Sequence, residues 1–264
     1  MEGSAALGYD RRMFGDLTLS TWLLASLCIM FAAFIRGFTG FGLAVVGVPL
    51  LTLFFSPARI IPSIMILAIL AGLQLLPKIW RAVDWRLLTP TIIGALIATP
   101  FGTWLLAGIP DNAMRMLIGA AVLIAAFAVQ LGFRFRERPH ALLSAGIGAI
   151  AGLTGGAAAM PGPSVIFLFL SSPITIEVGR ASLILFFQVS AIASASSAAA
   201  NGLLPLSSLI LGAALLPAML IGNWLGDRIF DRASSKAYRR VVVLLLMGLG
   251  VVAVARGATG WLFG

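Results

Sequence analysis

The chain has 264 residues, of which 60% are hydrophobic and 10% charged, with a mean hydropathy of +1.07. A soluble domain is roughly 45–50% apolar and 25% charged, so this chain lacks the polar surface to coat a globule in water and is expected to have the bilayer as its solvent. Its net charge of +9 lies in short arginine clusters beside apolar runs, a pattern that orients membrane proteins rather than one that binds nucleic acid.

Residues 1–16 form a mixed-charge tail. Ten apolar segments follow, at roughly 18–35, 42–55, 59–80, 87–108, 113–131, 141–153, 162–171, 174–200, 205–229 and 236–256. The first carries Cys28, and Leu24 to Cys28 has the outline of a lipoprotein box. Leu27 is too large for the residue before such a cysteine, and an apolar run of about 19 residues is overlong for a signal peptide, so this segment is expected to be retained. One cysteine and one histidine, His140, cannot build a disulfide framework or a Cys/His metal site, and no cofactor is implied.

Arg36 closes the first segment and opens the run Gly37-Phe38-Thr39-Gly40-Phe41-Gly42. Pro49 lies in the second segment, Ser56-Pro57 precedes the third, and Gln74 interrupts the third. The gap holding Lys78, Arg81 and Arg86 is basic and flanked by Trp80 and Trp85, as interface anchors are. The fourth segment carries Gly102-Thr103-Trp104-Leu105, and the gap after it has Asp111 as its charge. A basic joint, Arg134 to Pro139, follows the fifth. Landmarks then recur in the same order: Gly152-Leu153-Thr154-Gly155-Gly156, Pro161 and Pro163, Ser172-Pro173, Gln188, and Gly222-Asn223-Trp224-Leu225.

That order predicts one all-α polytopic membrane domain built from two repeats of about five helical segments, over 17–133 and 140–258. Placing the basic gaps near Arg81, Arg136 and Arg232 in the cytoplasm leaves the weakly charged gaps after the fourth and eighth segments outside. The repeats are then inverted, and both termini are periplasmic.

Segments six and seven, at about 13 and 10 residues, are too short for a core of about 30 Å. The first two segments of each repeat are expected to be short or broken and to meet near the midplane. Broken backbone at membrane depth survives only inside protein or along a water-filled cavity, and paired interruptions mark transporter sites. A helix start offers free N–H groups and a positive dipole end, so Gly40, Phe41 and Gly42, with Gly155, Gly156 and the nearby Pro161, are expected to shape an anion site. Close packing of helices is the competing reason for such glycines. Thr39 and Thr154 either add hydroxyl donors or cap their helices. Arg36 is either a deep counter-charge or a surface orientation signal. Gln74 and Gln188 bind either a neighbouring helix or the substrate. Asn201 and Asn223 are expected near helix ends, Arg180 is expected to pair with Glu177 on the surface, and no deep acid stands out.

At Arg36 to Gly42, at Pro49-Leu50-Leu51 and at the second Gly-Leu-Thr-Gly-Gly copy, the chain resembles the TauE/SafE family of sulfite-exporter-type permeases. The second half departs from the glycine-rich pattern at Ala157-Ala158-Ala159-Met160. The resemblance implies secondary transport of sulfite, an organosulfonate or another small sulfur-containing anion across the bacterial inner membrane. A channel-like anion pore and an uptake permease for small carboxylates are the alternatives. An intramembrane enzyme has no evident dyad here, and its only lysines, Lys78 and Lys236, border basic gaps. The expected partners are the small anion and the lipid bilayer, with no nucleic acid; a homo-oligomer is compatible with all of this.

Overall fold

The computed structural model describes residues 19–55, 57–106, 123, 126, 127, 129–158, 162–200, 202 and 204–262. The helices are α1 (Leu19–Thr39), α2 (Leu43–Leu51), α3 (Pro57–Ile79), α4 (Trp85–Leu106), α5 (Ala141–Ala158), α6 (Gly162–Ser171), α7 (Ile176–Ala200), α8 (Leu206–Phe230) and α9 (Ser235–Leu262), with a 3-10 turn at Trp80–Ala82. No strand occurs among the described residues. The fifth expected segment falls mostly outside them. Among the described residues four helices, α1, α3, α7 and α8, are long and apolar enough to cross a membrane. The short elements are α2 and α6, at 9 and 10 residues. By contrast, α1 and α5 run 21 and 18 residues. Among the described residues, only the second segment of each set is therefore short.

The helices gather into two compact units: residues 1–75 with 188–232, and residues 76–187 with 233–264. Helices α3 and α7 pass from one unit to the other beside Gln74 and at Gln188. Each unit thus combines elements from both halves of the sequence.

In the first unit α1 shows why an apolar run becomes one helix with two faces. Ala25, Ile29, Ala32 and Ala33 are buried, while Leu19, Leu23, Leu27 and Phe31, spaced by four, are exposed. The buried face packs with Leu43 and Leu51 of α2, Ile60, Ile64 and Leu67 of α3, and Leu211, Leu215 and Met219 of α8. Lipid tails are as apolar as leucine, so leucine burial gives little preference for one helix over another; close backbone approach supplies the specificity. A β-carbon at Gly222 would strike the Met30 carbonyl, one at Gly226 the Phe34 carbonyl, and one at Gly37 the Asn223 carbonyl. These three glycines let α1 and α8 touch backbone to backbone.

The second unit repeats the device between α4 and α5. Gly94 abuts the Ala145 carbonyl, Gly152 the Ala95 carbonyl, and Gly148 the Thr91 carbonyl. The register is the same in both crossings. Met30 and Gly37 are matched by Ala145 and Gly152, and Gly222-Asn223 by Gly94-Ala95. Gly94, not Gly102, therefore does for α4 what Gly222 does for α8. The sequence pairing of Gly102 with Gly222 is out by eight residues, because the requirement sits where backbones touch rather than at the glycine beside a tryptophan.

Candidate anion site in the first unit

The run Arg36 to Gly42 is explained residue by residue. Gly37 packs on the Asn223 backbone. Phe38 meets Phe230 edge-on, with ring centroids 6.3 Å apart. The Gly40 N–H donates to the Arg36 carbonyl at 2.7 Å with φ at 90°, a left-handed helix cap that favours glycine. Gly42 precedes α2 with φ at 106°. Two left-handed residues in three positions end one helix and start the next.

Thr39 is fully buried, and its Oγ1 lies 2.8 Å from both the Ile35 and Phe41 carbonyl oxygens. It also accepts from the Phe41 N–H at 3.3 Å. The hydroxyl and the amides of Gly40 and Phe41 are thus committed to the turn. Phe41 itself is buried. In the second half, Thr154 likewise donates to Ile150 at 2.9 Å. The helix then runs through Gly155 and Gly156 to Ala158, so these two glycines lie within a helix rather than at a helix start. Ala157 stands where the first copy has Gly42, and alanine disfavours the left-handed geometry that starts α2. Pro161 lies outside the described residues.

The polar centre of the first unit surrounds Gly72 of α3. Arg36, only 3% exposed, donates from Nη2 to the Ala68 carbonyl at 3.2 Å. Gln188, also 3% exposed, donates from Nε2 to Ile69 at 3.1 Å. Asn223, fully buried, donates from Nδ2 to Ala71 at 3.1 Å and to Gln74 Oε1 at 2.8 Å. Gln74, on the exposed side of α3, donates to the Leu220 carbonyl at 3.3 Å. Three carbonyls of α3 thus each accept a side chain from a different helix, which their second lone pair permits.

These donations fix how the amides point. Gln188 Oε1 and Asn223 Oδ1 are left buried with no hydrogen-bond partner among the described residues. A β-carbon at Gly72 would overlap Gln188 Oε1 and lie 3.1 Å from Arg36 Nη2. The space that Gly72 leaves is therefore where the guanidinium and the amide oxygen approach each other.

Asn223 and Gly72 were not expected here. The sequence places Asn223 near a helix end, yet it is fully buried and α8 continues to Phe230. Its signal was an amide inside an apolar helix, which must be satisfied when buried. Gln188 is at the centre, whereas Gln74 stands behind Asn223, so the two glutamines are not equivalent. Arg180 is 3% exposed and is not a surface residue. Among the described residues two acids are buried, Asp84 and Asp227. Asp84 accepts from the Leu87 N–H at 3.3 Å at the start of α4 and lies 3.4 Å from Arg138, a structural role.

Apolar helices long enough to cross a membrane, one short helix in each set and a buried cation among oriented amides are the features of a polytopic membrane protein. The chain matches the sulfite exporter TauE/SafE family over residues 25–253 and belongs to it. It is 27% identical over 233 residues to the probable sulfite/organosulfonate exporter TauE of Cupriavidus necator, covering 84% of this chain and 90% of that protein. No solved structure matches it. The family is one of exporters, and the chain is accordingly a transporter rather than an enzyme.

Proposed function

We propose that the chain is a secondary transporter moving a small sulfur oxyanion, foremost sulfite, across the bacterial inner membrane, with Arg36 as the counter-charge of the cargo. The observation that carries this reading is the buried Arg36 guanidinium facing Gln188 Oε1 across Gly72. Taking a guanidinium out of water is costly unless it meets a counter-charge, so the burial of Arg36 calls for a function. The second crossing supports this. It has the same glycine register with Ala151 in place of Arg36 and Ala95 in place of Asn223. The packing therefore does not need the polar pair.

The two unpartnered acceptors narrow the cargo. A bare oxyanion offers them nothing, whereas an acid monoanion brings one O–H to donate. Hydrogen sulfite fits: its charge pairs with Arg36 and its proton with an amide oxygen. Such a cargo carries its own proton, and no buried carboxylate is then required for coupling. In proteoliposomes, sulfite flux at fixed total concentration is expected to rise as pH falls through the ionisation of hydrogen sulfite. Methanesulfonate, which lacks the O–H, is expected to move about tenfold more slowly, the worth of one hydrogen bond near 1.4 kcal/mol. Equal rates for the two anions at every pH would rule out this assignment.

The matched crossings also support a duplicated architecture, in which the basic gaps face the cytoplasm and both termini face the periplasm. A phosphatase reporter fused after Gly264 is expected to be active, and one inserted within 134–139 silent. The opposite pattern would remove the inverted arrangement.

A further inference from the structure

The second unit holds a cavity of about 310 Å³ far along the sequence from the residues around Gly72. Four cations line it: Arg134 from the joint before α5, Arg180 from α7, and Lys236 and Arg239 from α9. Ser172, Thr175 and Ser235 add hydroxyls, and no acid lines it. Phe169, Leu170, Ile174 and Ile176 give it an apolar wall.

Two helices also begin here. The Thr175 Oγ1 accepts from the Val178 N–H at 3.4 Å at the start of α7, and the Ser234 Oγ from the Ala237 N–H at 3.2 Å at the start of α9. Helix starts carry positive partial charge and favour anions. The first turn of α9 has no acid and instead bears Lys236. Arg239 donates to the Val129 carbonyl at 3.3 Å, a neutral acceptor that leaves its charge in place. The first turn of α7 carries Glu177, so the four lining cations and the start of α9 are what make this space positive, and a positive, partly apolar cavity favours an anion.

We infer that this cavity is a phosphate site, filled by the headgroup of an anionic phospholipid or by free phosphate. A tetrahedral oxyanion can take several donors at once from guanidinium forks, hydroxyls and an ammonium. The apolar wall beside the cations suits a glycerol backbone, and basic pockets between membrane helices bind such headgroups.

The test uses the full-length protein, delipidated in detergent. Native mass spectrometry is run with phosphatidylglycerol and with phosphatidylcholine, and thermal shift is run with orthophosphate at constant ionic strength. Retained phosphatidylglycerol adducts, at least fivefold above phosphatidylcholine, assign the lipid. A rise in Tm with orthophosphate and no lipid preference assigns free phosphate. In either case Arg134→Gln with Lys236→Gln should abolish the effect, and Arg36→Gln should leave it intact. Both replaced residues are exposed, so the double variant should fold. Absence of both effects, or their persistence in the double variant, overturns the proposal.

Discussion

Gly222→Ala is expected to destroy the folded first unit. The added carbon would strike the Met30 carbonyl, and a backbone atom cannot swing aside as a side chain can. Forcing a methyl group into a packed core costs about 1–3 kcal/mol where side chains yield, and here the whole of α1 must move off α8. That movement would also separate Gly37 from Asn223 and Gly226 from Phe34. In detergent, the monodisperse peak of the purified protein should collapse or its Tm fall by more than 10 °C. Gly94→Ala should act alike in the second unit, where it meets the Ala145 carbonyl. Gly146→Ala and Gly248→Ala are the controls. Neither β-carbon meets anything within 4 Å, and alanine is favoured over glycine in helices by about 1 kcal/mol. A wild-type yield and Tm for Gly222→Ala would show that the crossing is looser than its geometry implies.

Hydropathy made the helices legible because each spanning segment must satisfy its own backbone, leaving long uninterrupted apolar runs. The helix ends were less so. The sequence ends the sixth segment at Leu153, yet α5 reaches Ala158, because glycine weakens a helix without forbidding it. Gly40 and Gly42 break the chain and Gly155 and Gly156 do not. The composition of the two runs is similar, and the difference lies in whether the backbone is driven to positive φ.

The site was legible in part. Arg36 and Gln188 could be named as polar residues in apolar helices. Thr39 and Thr154 could equally be donors or caps, and both hydroxyls are in fact bonded to carbonyls of their own helices. Gly72 carried no signal at all, since its role is to leave room for an amide from a helix more than a hundred residues away. Asn223 was hidden although the ninth segment's end, at 229, lies within one residue of the end of α8 at Phe230: which face of the helix is buried depends on the Gly222 and Gly37 contacts between α1 and α8, which no border reveals.

Arg36→Gln is expected to abolish sulfite transport while leaving the fold intact. Removing one partner of a buried charged contact costs about 3–5 kcal/mol, and 1.4 kcal/mol is a factor of ten, so flux should fall by two orders of magnitude or more. The fold should survive because the crossing of α4 and α5 is built with Ala151 at the matching position. Arg36→Lys keeps the charge but presents it as a point rather than a fork, and should retain part of the flux. Gly72→Ala reaches the same site from another side. Its β-carbon meets the far end of Gln188, which can rotate away, so the protein should stay folded while the amide leaves the Ile69 carbonyl and the guanidinium. Flux should drop with little change in Tm, and Gln188→Ala should reproduce the loss. Labelled sulfite efflux from proteoliposomes, normalised to folded protein, measures all four variants. If Arg36→Gln loses its Tm as Gly222→Ala does, the arginine is a structural strut. If it keeps both Tm and flux, the anion binds elsewhere. Loss of flux with retained Tm, in Arg36→Gln and Gly72→Ala together, is the outcome that places the cargo between α1, α3 and α7.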